Sequence, residues 1–215
     1  MRRARIRNVV AVVAAGCAIG APAALAAIIN GTDGPDTLIG TPVQDTINAR
    51  KGNDIVWGQG GGDTIDAGKG DDTVFGDGTC MAGSASGDYC DSGETGNDGA
   101  DNITGGDGND TLFGEGGADN ITDNDGNDTI DGGSGADNLS GGDGADTITG
   151  GSGADTISGG DGDDRIFARD GVKDTISCGN GIDTVDADSI DSVASNCERV
   201  TRHSVTAAQR RAALR

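Results

Sequence analysis

Between Gly31 and Asp186 the chain repeats itself every nine residues, and few folds tolerate such a period. Read in steps of nine from Gly31, the units are GTDGPDTLI, GTPVQDTIN, ARKGNDIVW, GQGGGDTID and AGKGDDTVF, ending at Phe75. An interruption covers 76–95. The register resumes at Gly96 and runs in eight nonapeptides to Phe167, followed by a ten-residue variant over 168–177 and a last unit, CGNGIDTVD, over 178–186. Position six is Asp in all fifteen units, from Asp36 to Asp183. Position four is Gly in fourteen, Val43 being the exception, and position eight is Leu, Ile or Val in all fifteen. A bias toward Gly and Asp does not hold three columns in phase.

One unit has a simple physical reading. Glycines at positions one, two and four permit a sharp turn over the first six residues. Positions seven to nine have the Thr/Ile character of a short strand. Alternation sends position eight to one face and its neighbours to the other. Two units make an 18-residue coil with a strand on each side. Stacked coils give two parallel sheets, with Leu38, Val56 and Val74 in one inner column and Ile47 and Ile65 in the facing one. The expected fold class is all-β, a β-solenoid with coils about 4.8 Å apart.

Composition shows what such a fold must overcome. Apolar residues are 33% and aromatics 2%, against a net charge of −21. Without the period these values would indicate disorder. One inner aliphatic per nine residues is thin against the entropy of ordering the chain. The acids are 33 Asp and 3 Glu, an excess that points to a need for the short carboxylate. Asp36 and Asp54 lie two units apart and stack on adjacent coils, where their repulsion calls for a cation. Carboxylates and turn carbonyls form an all-oxygen set, which suits Ca²⁺ before the stricter Mg²⁺. Zinc lacks a Cys/His cluster, since His203 is the single histidine. The charge also disfavours nucleic acid, which requires Lys and Arg against phosphate, and insertion into or binding to anionic membranes.

These units resemble the hemolysin-type, or repeats-in-toxin (RTX), calcium-binding nonapeptide, G-G-x-G-x-D-x-U-x. Gly105-Gly106-Asp107-Gly108-Asn109-Asp110-Thr111-Leu112-Phe113 fits every fixed position. The resemblance covers 31–186 apart from the interruption and implies a right-handed parallel β-roll. It also implies multiple Ca²⁺ ions held between turns two units apart by position-six Asp and turn carbonyls. By that rule Asp110 pairs with Asp128, Asp128 with Asp146, and Asp101 with Asp119. The metal-binding carboxylates so implied are Asp36, Asp54, Asp63, Asp72, Asp101, Asp110, Asp119, Asp128, Asp137, Asp146, Asp155 and Asp164. Asp45 is left out because Pro42 and Val43 depart from the pattern in its turn. Arg50, Lys51 and Lys69 dilute the negative field of the first block, so the block over 96–167 is the stronger binder.

The chain's ends and cysteines point to export. Arg2, Arg3, Arg5 and Arg7, the short apolar run Val9–Ile19 and Ala24-Leu25-Ala26 read as a secretory signal peptide over 1–26. Cys17 after Ala15-Gly16 offers a lipoprotein alternative. The remaining four cysteines allow three pairings. Cys80 with Cys90 would close the interruption, and Cys178 with Cys197 would staple the end of the solenoid. The segment from Cys178 to Val200 resembles the terminal module of small secreted actinobacterial calcium-binding proteins. The expected organisation is a first roll block over 27–75, a disulfide-closed insertion loop over 76–95, a second block over 96–186, a cap over 187–200 and a disordered basic tail over 201–215. A short helix over 206–214 is the alternative for that tail.

Other motifs reduce to the repeat. Asn102-Ile103-Thr104 and similar triplets match glycosylation sequons as by-products of the period. No EF-hand loop, H-E-x-x-H or G-x-S-x-G is present. Trp57, Phe75, Phe113 and Phe167 fall at position nine, on the outer face. Signal, repeats and cap leave no separate catalytic domain. The expectation is a secreted, extracellular, non-enzymatic calcium-ion-binding β-roll protein. A calcium-rigidified surface adhesin or carbohydrate-binding module, with a cell-surface or glycan partner, is the alternative.

Overall fold

The computed structural model describes residues 26–77 and 99–205. The signal segment over 1–26 except Ala26, the Cys80–Cys90 bridge and the 206–214 helix lie outside the described residues. The described residues form eighteen strands and no helix.

One sheet holds nine parallel strands: β1 (Ile28–Asn30), β3 (Thr46–Asn48), β5 (Thr64–Lys69), β7 (Asn102–Asp107), β9 (Asn120–Thr122), β11 (Asn138–Asp143), β13 (Thr156–Asp161), β15 (Thr175–Asn180) and β17 (Ser192–Val193). The facing sheet holds β2 (Thr37–Ile39), β4 (Ile55–Gln59), β6 (Thr73–Asp77), β8 (Thr111–Phe113), β10 (Thr129–Asp131), β12 (Thr147–Thr149), β14 (Arg165–Ala168), β16 (Thr184–Asp188) and β18 (Arg199–His203). Odd and even strands alternate along the chain, so each coil contributes one strand to each sheet. The register places Leu38 beside Val56, Val56 beside Val74, and Val74 beside Leu112. Ile47 lies beside Ile65, and Ile65 beside Ile103. This is the all-β parallel roll, about nine coils long, that the period demands.

The core is the position-eight column seen from both sides. Leu38, Ile47, Val56, Ile65 and their successors through Val185 are buried, whereas positions seven and nine face out. Parallel strands covered on one face by a second sheet bury that face continuously. Position one adds small side chains to the same interior: Ala49, Ala67, Ala168, Cys178 and Ala187 are buried. On the outside, Trp57, Phe75 and Phe113 stack on successive coils, with centroids 5.8 and 5.1 Å apart and ring planes within 7° of parallel. Each such pair contributes about 1 kcal/mol beyond area burial. Because the ring faces are turned on one another, they serve the roll's own packing. Phe167 stands apart and is exposed.

The interruption falls inside a turn and does not separate two units at residue 76. Gln59 pairs with Asp77, so the coil continues through Gly76 and Asp77 in positions one and two. Gly99 then takes position four, and its N–H donates to Asp77 Oδ1 at 3.3 Å. Thr64 therefore pairs with Asn102, and Thr73 with Thr111, across 38 residues, where a regular coil steps 18, as in Thr46 with Thr64. A turn absorbs an insertion because both strand ladders keep their register, whereas an insertion within a strand would flip its side chains. The ten-residue unit is accommodated the same way, with Thr156 paired to Thr175.

At the far end Cys178 and Cys197 form a disulfide, with Cα atoms 5.2 Å apart. β18 pairs with β16 through Asp188–His203, so the sheet extends three residues into the segment expected as tail. Arg202 adds hydrogen bonds to the carbonyls of Asp188 (3.4 Å) and Asp191 (3.1 Å).

Candidate metal centre

Every position-six Asp sits at the last residue of its turn, just before a strand. There the two columns of coils build two ladders of carboxylates. The backbone N–H of each Asp donates to Oδ1 of the Asp one coil further on: Asp54 to Asp72 (2.7 Å), Asp110 to Asp128 (2.9 Å), Asp128 to Asp146 (2.9 Å) and Asp146 to Asp164 (3.0 Å) on one side. On the other side Asp63 donates to Asp101 (2.6 Å), Asp101 to Asp119 (2.8 Å), Asp119 to Asp137 (2.9 Å) and Asp137 to Asp155 (3.0 Å). Asp36 joins the first ladder through Asp54, and Asp72 continues it to Asp110. The twelve carboxylates singled out in the sequence thus all stand in the two ladders, each 3% exposed or less.

At most of these rungs one carboxylate oxygen is occupied by the ladder and the other is not. Oδ2 of Asp54, Asp63, Asp72, Asp101, Asp110, Asp128, Asp137, Asp146, Asp155 and Asp164 is buried without a hydrogen-bond donor. A buried acceptor left without a partner is costly, and a buried charge much more so. The oxygens of Asp63, Asp101, Asp137, Asp146, Asp155 and Asp164 face a space that a position-one glycine keeps open. A methyl group on Gly141 would lie 2.3 Å from Asp146 Oδ2 and 2.5 Å from the Gly159 carbonyl oxygen. On Gly58 it would lie 2.3 Å from Asp63 Oδ2 and 2.1 Å from the Gly76 carbonyl oxygen. Carboxylate and carbonyl oxygens therefore converge, coil after coil, in cradles lined by oxygen and free of side-chain bulk.

The model of the RTX calcium-binding nonapeptide repeat, built of four copies, matches residues 30–65, 39–74, 95–122, 113–148, 122–157 and 140–172, more than half of the chain. The chain belongs to the RTX calcium-binding repeat family. No curated protein matches it. The matched segments stop at 74 and resume at 95, on either side of the insertion.

An RTX repeat is a calcium-binding unit, and the donor set of this roll fits that ion. Hard, large cations take oxygen ligands from carboxylates and backbone carbonyls in flexible geometry. Among the described residues no group of three or more His, Cys, Asp or Glu side chains forms a ready-made cage. An ion here would draw on turn carbonyls as well as the ladder, which the glycine cradles supply.

The electrostatics show what the ladders lack. Burial is the main cause of a raised carboxyl pKa at each affected rung, and neighbouring carboxylates add to it at most of them. Asp63 is pushed up to about 8, with Asp101 and Asp45 contributing repulsion, and Asp72 to about 7. Asp101, Asp128, Asp155 and Asp164 rise to about 6. The ladder hydrogen bonds pull the other way and do not prevail. Without a cation these groups are driven toward protonation.

Asp45 differs in the way its turn differs. The Thr41 hydroxyl donates to its Oδ1 at 3.0 Å, and the Thr41 N–H donates to its Oδ2. Its carboxylate is satisfied by the chain itself. Four further groups belong to the ladders and were not singled out in the sequence. Asp174 accepts from Asp155 (2.9 Å) and Asp183 from Asp164 (2.9 Å). Asp191 then accepts from Asp174 (3.1 Å) and Glu198 from Asp183 (3.0 Å), closing the two ladders at the cap. The Asp column itself contained Asp174 and Asp183. Asp191 and Glu198 lie beyond the period and carried no such signal.

Proposed function

We propose that this chain is a secreted, non-enzymatic protein whose roll folds around Ca²⁺ ions held between successive coils. The observation that carries this reading is the column of buried Asp oxygens without donors, repeated beside glycine cradles along both ladders. Asp110 with Asp128, Asp128 with Asp146, and Asp101 with Asp119 hold the ions, together with turn carbonyls. The ladder hydrogen bond fixes each carboxylate's orientation, and the short Asp side chain keeps it within the turn. The bound ion supplies positive charge between carboxylates that otherwise repel. The Arg-rich, apolar start of the chain and the Cys178–Cys197 bridge support export into an oxidising compartment.

Calorimetric titration of the mature chain with calcium chloride tests this. Several ions per chain should bind, and magnesium should bind weakly because its octahedral shell is stricter. A chain that takes up no calcium would contradict the assignment.

A further inference from the structure

Counting nine residues back from Gly31 extends the register to 22–30, with Ala27 at position six and Ile29 at position eight. The structure keeps that register. Ile29 is buried beside Ile47, and the Ala27 carbonyl accepts the Thr46 N–H at 2.9 Å. Ala27 therefore holds a rung of the ladder without bringing a carboxylate. Its N–H donates to Asp45 Oδ1 at 2.5 Å, just as the Asp45 N–H donates to Asp63 Oδ1 at 2.8 Å. The opposite ladder has no such start, since Asp36 Oδ1 is buried without a donor among the described residues. Asp45 is itself buried, and its Oδ2 is taken by the Thr41 N–H. No salt bridge among the described residues reaches it. Pro42 and Val43 in its turn keep it out of the cation positions, so its charge is hydrogen-bonded but not neutralised. A buried charge without a counter-charge is costly.

We propose that export processing supplies this counter-charge: the bond between Ala26 and Ala27 is cut, and the new α-ammonium group of Ala27 pairs with Asp45 and caps the first coil of the roll. The inference rests on the reading of the chain as an exported protein. Ala24-Leu25-Ala26 is the small-x-small motif after which a signal peptidase cuts, and Ala26 is exposed. Hydrolysis breaks the bond from the Ala26 carbonyl carbon to the Ala27 nitrogen. Water gives its hydroxyl to that carbon and a hydrogen to the nitrogen, and the released amine takes a proton from solvent at neutral pH. The nitrogen already lies at the carboxylate, so the cut turns an amide donor into an ammonium donor in place. Coulomb attraction in a partly buried setting is then added to the hydrogen bond. In the uncut chain the same nitrogen is neutral, so the completed cap belongs to the processed chain alone.

Intact mass of the exported chain is measured first and should give Ala27 as its first residue. The exported chain is then compared with its Nα-acetylated form, which keeps the Ala27 N–H and removes the charge. The same comparison is made in Asp45→Asn, which keeps an acceptor oxygen and removes the opposite charge. Acetylation should lower the thermal unfolding midpoint of the parent in calcium by about 2–4 °C and leave that of Asp45→Asn unchanged. An equal loss in both, or a loss in neither, would overturn the ion pair, as would an exported chain that begins at another residue. A chain that stays in the cell with residues 1–26 attached would instead overturn the export reading on which the proposal rests.

Discussion

Asp128→Ala should weaken calcium binding far more than Asp45→Ala. Asp128 accepts the Asp110 N–H and donates its own N–H to Asp146, so it is a rung with a neighbour on either side. Its removal leaves the Asp110 N–H buried without an acceptor, which costs about 1–3 kcal/mol. It also takes one carboxylate from each of two cation positions. Asp45 is a rung as well, receiving the Ala27 N–H and donating to Asp63, but its oxygens are held by Thr41. Removing it should cost its three hydrogen bonds, about 1 kcal/mol each, but no ligand of a cation position. In calorimetric titration, the number of calcium ions bound should fall for Asp128→Ala and stay the same for Asp45→Ala. Equal counts would show that the ladder acts through hydrogen bonds alone.

Acid should stabilise the calcium-free roll, contrary to the usual behaviour of carboxylate-rich proteins. The folded-state pKa of Asp63 is raised to about 8, of Asp72 to about 7 and of Asp128 to about 6, from 3.8. The folded chain therefore binds these protons more tightly than the unfolded chain does. The stabilisation is fully present below the unfolded value and is lost as pH rises through the range from 6 to 8. Falling net charge acts in the same direction, since residues 31–198 hold 36 acids and 6 bases, a net of −30. In calcium-free buffer the β signal should grow as pH falls from about 8 toward 4. With calcium present the order reverses, because protons compete with the ion for the same oxygens. A calcium-free chain that loses β signal on acidification would mean that these carboxylates are not buried.

Much of the fold was legible because the period is enforced by geometry. Leu38, Val56 and Val74 had to share a column once position eight was the only apolar place in each unit, and the parallel register places them so. The Asp ladders follow from the same 18-residue step. The phase of the insertion was less legible, because Gly76-Asp77 and Gly96-Asn97 both fit the first two positions of a unit. Only the pairing of Gln59 with Asp77 resolves the choice. Ala27 was hidden for a different reason. It holds its rung through the backbone N–H alone, with no carboxylate to mark the position. Glu198 reaches the ladder from outside the repeat, where no period marks it.

The calcium dependence of folding tests the account most directly. The inner aliphatic column is sparse, and stacked buried carboxylates oppose the coil that brings them together. Far-ultraviolet circular dichroism of the mature chain should be recorded at neutral pH, first in excess chelator and then in millimolar calcium. A disordered spectrum in chelator, converting cooperatively to a β spectrum as calcium is added, is the predicted result. The same β spectrum in both conditions would contradict the claim that the ion completes the fold.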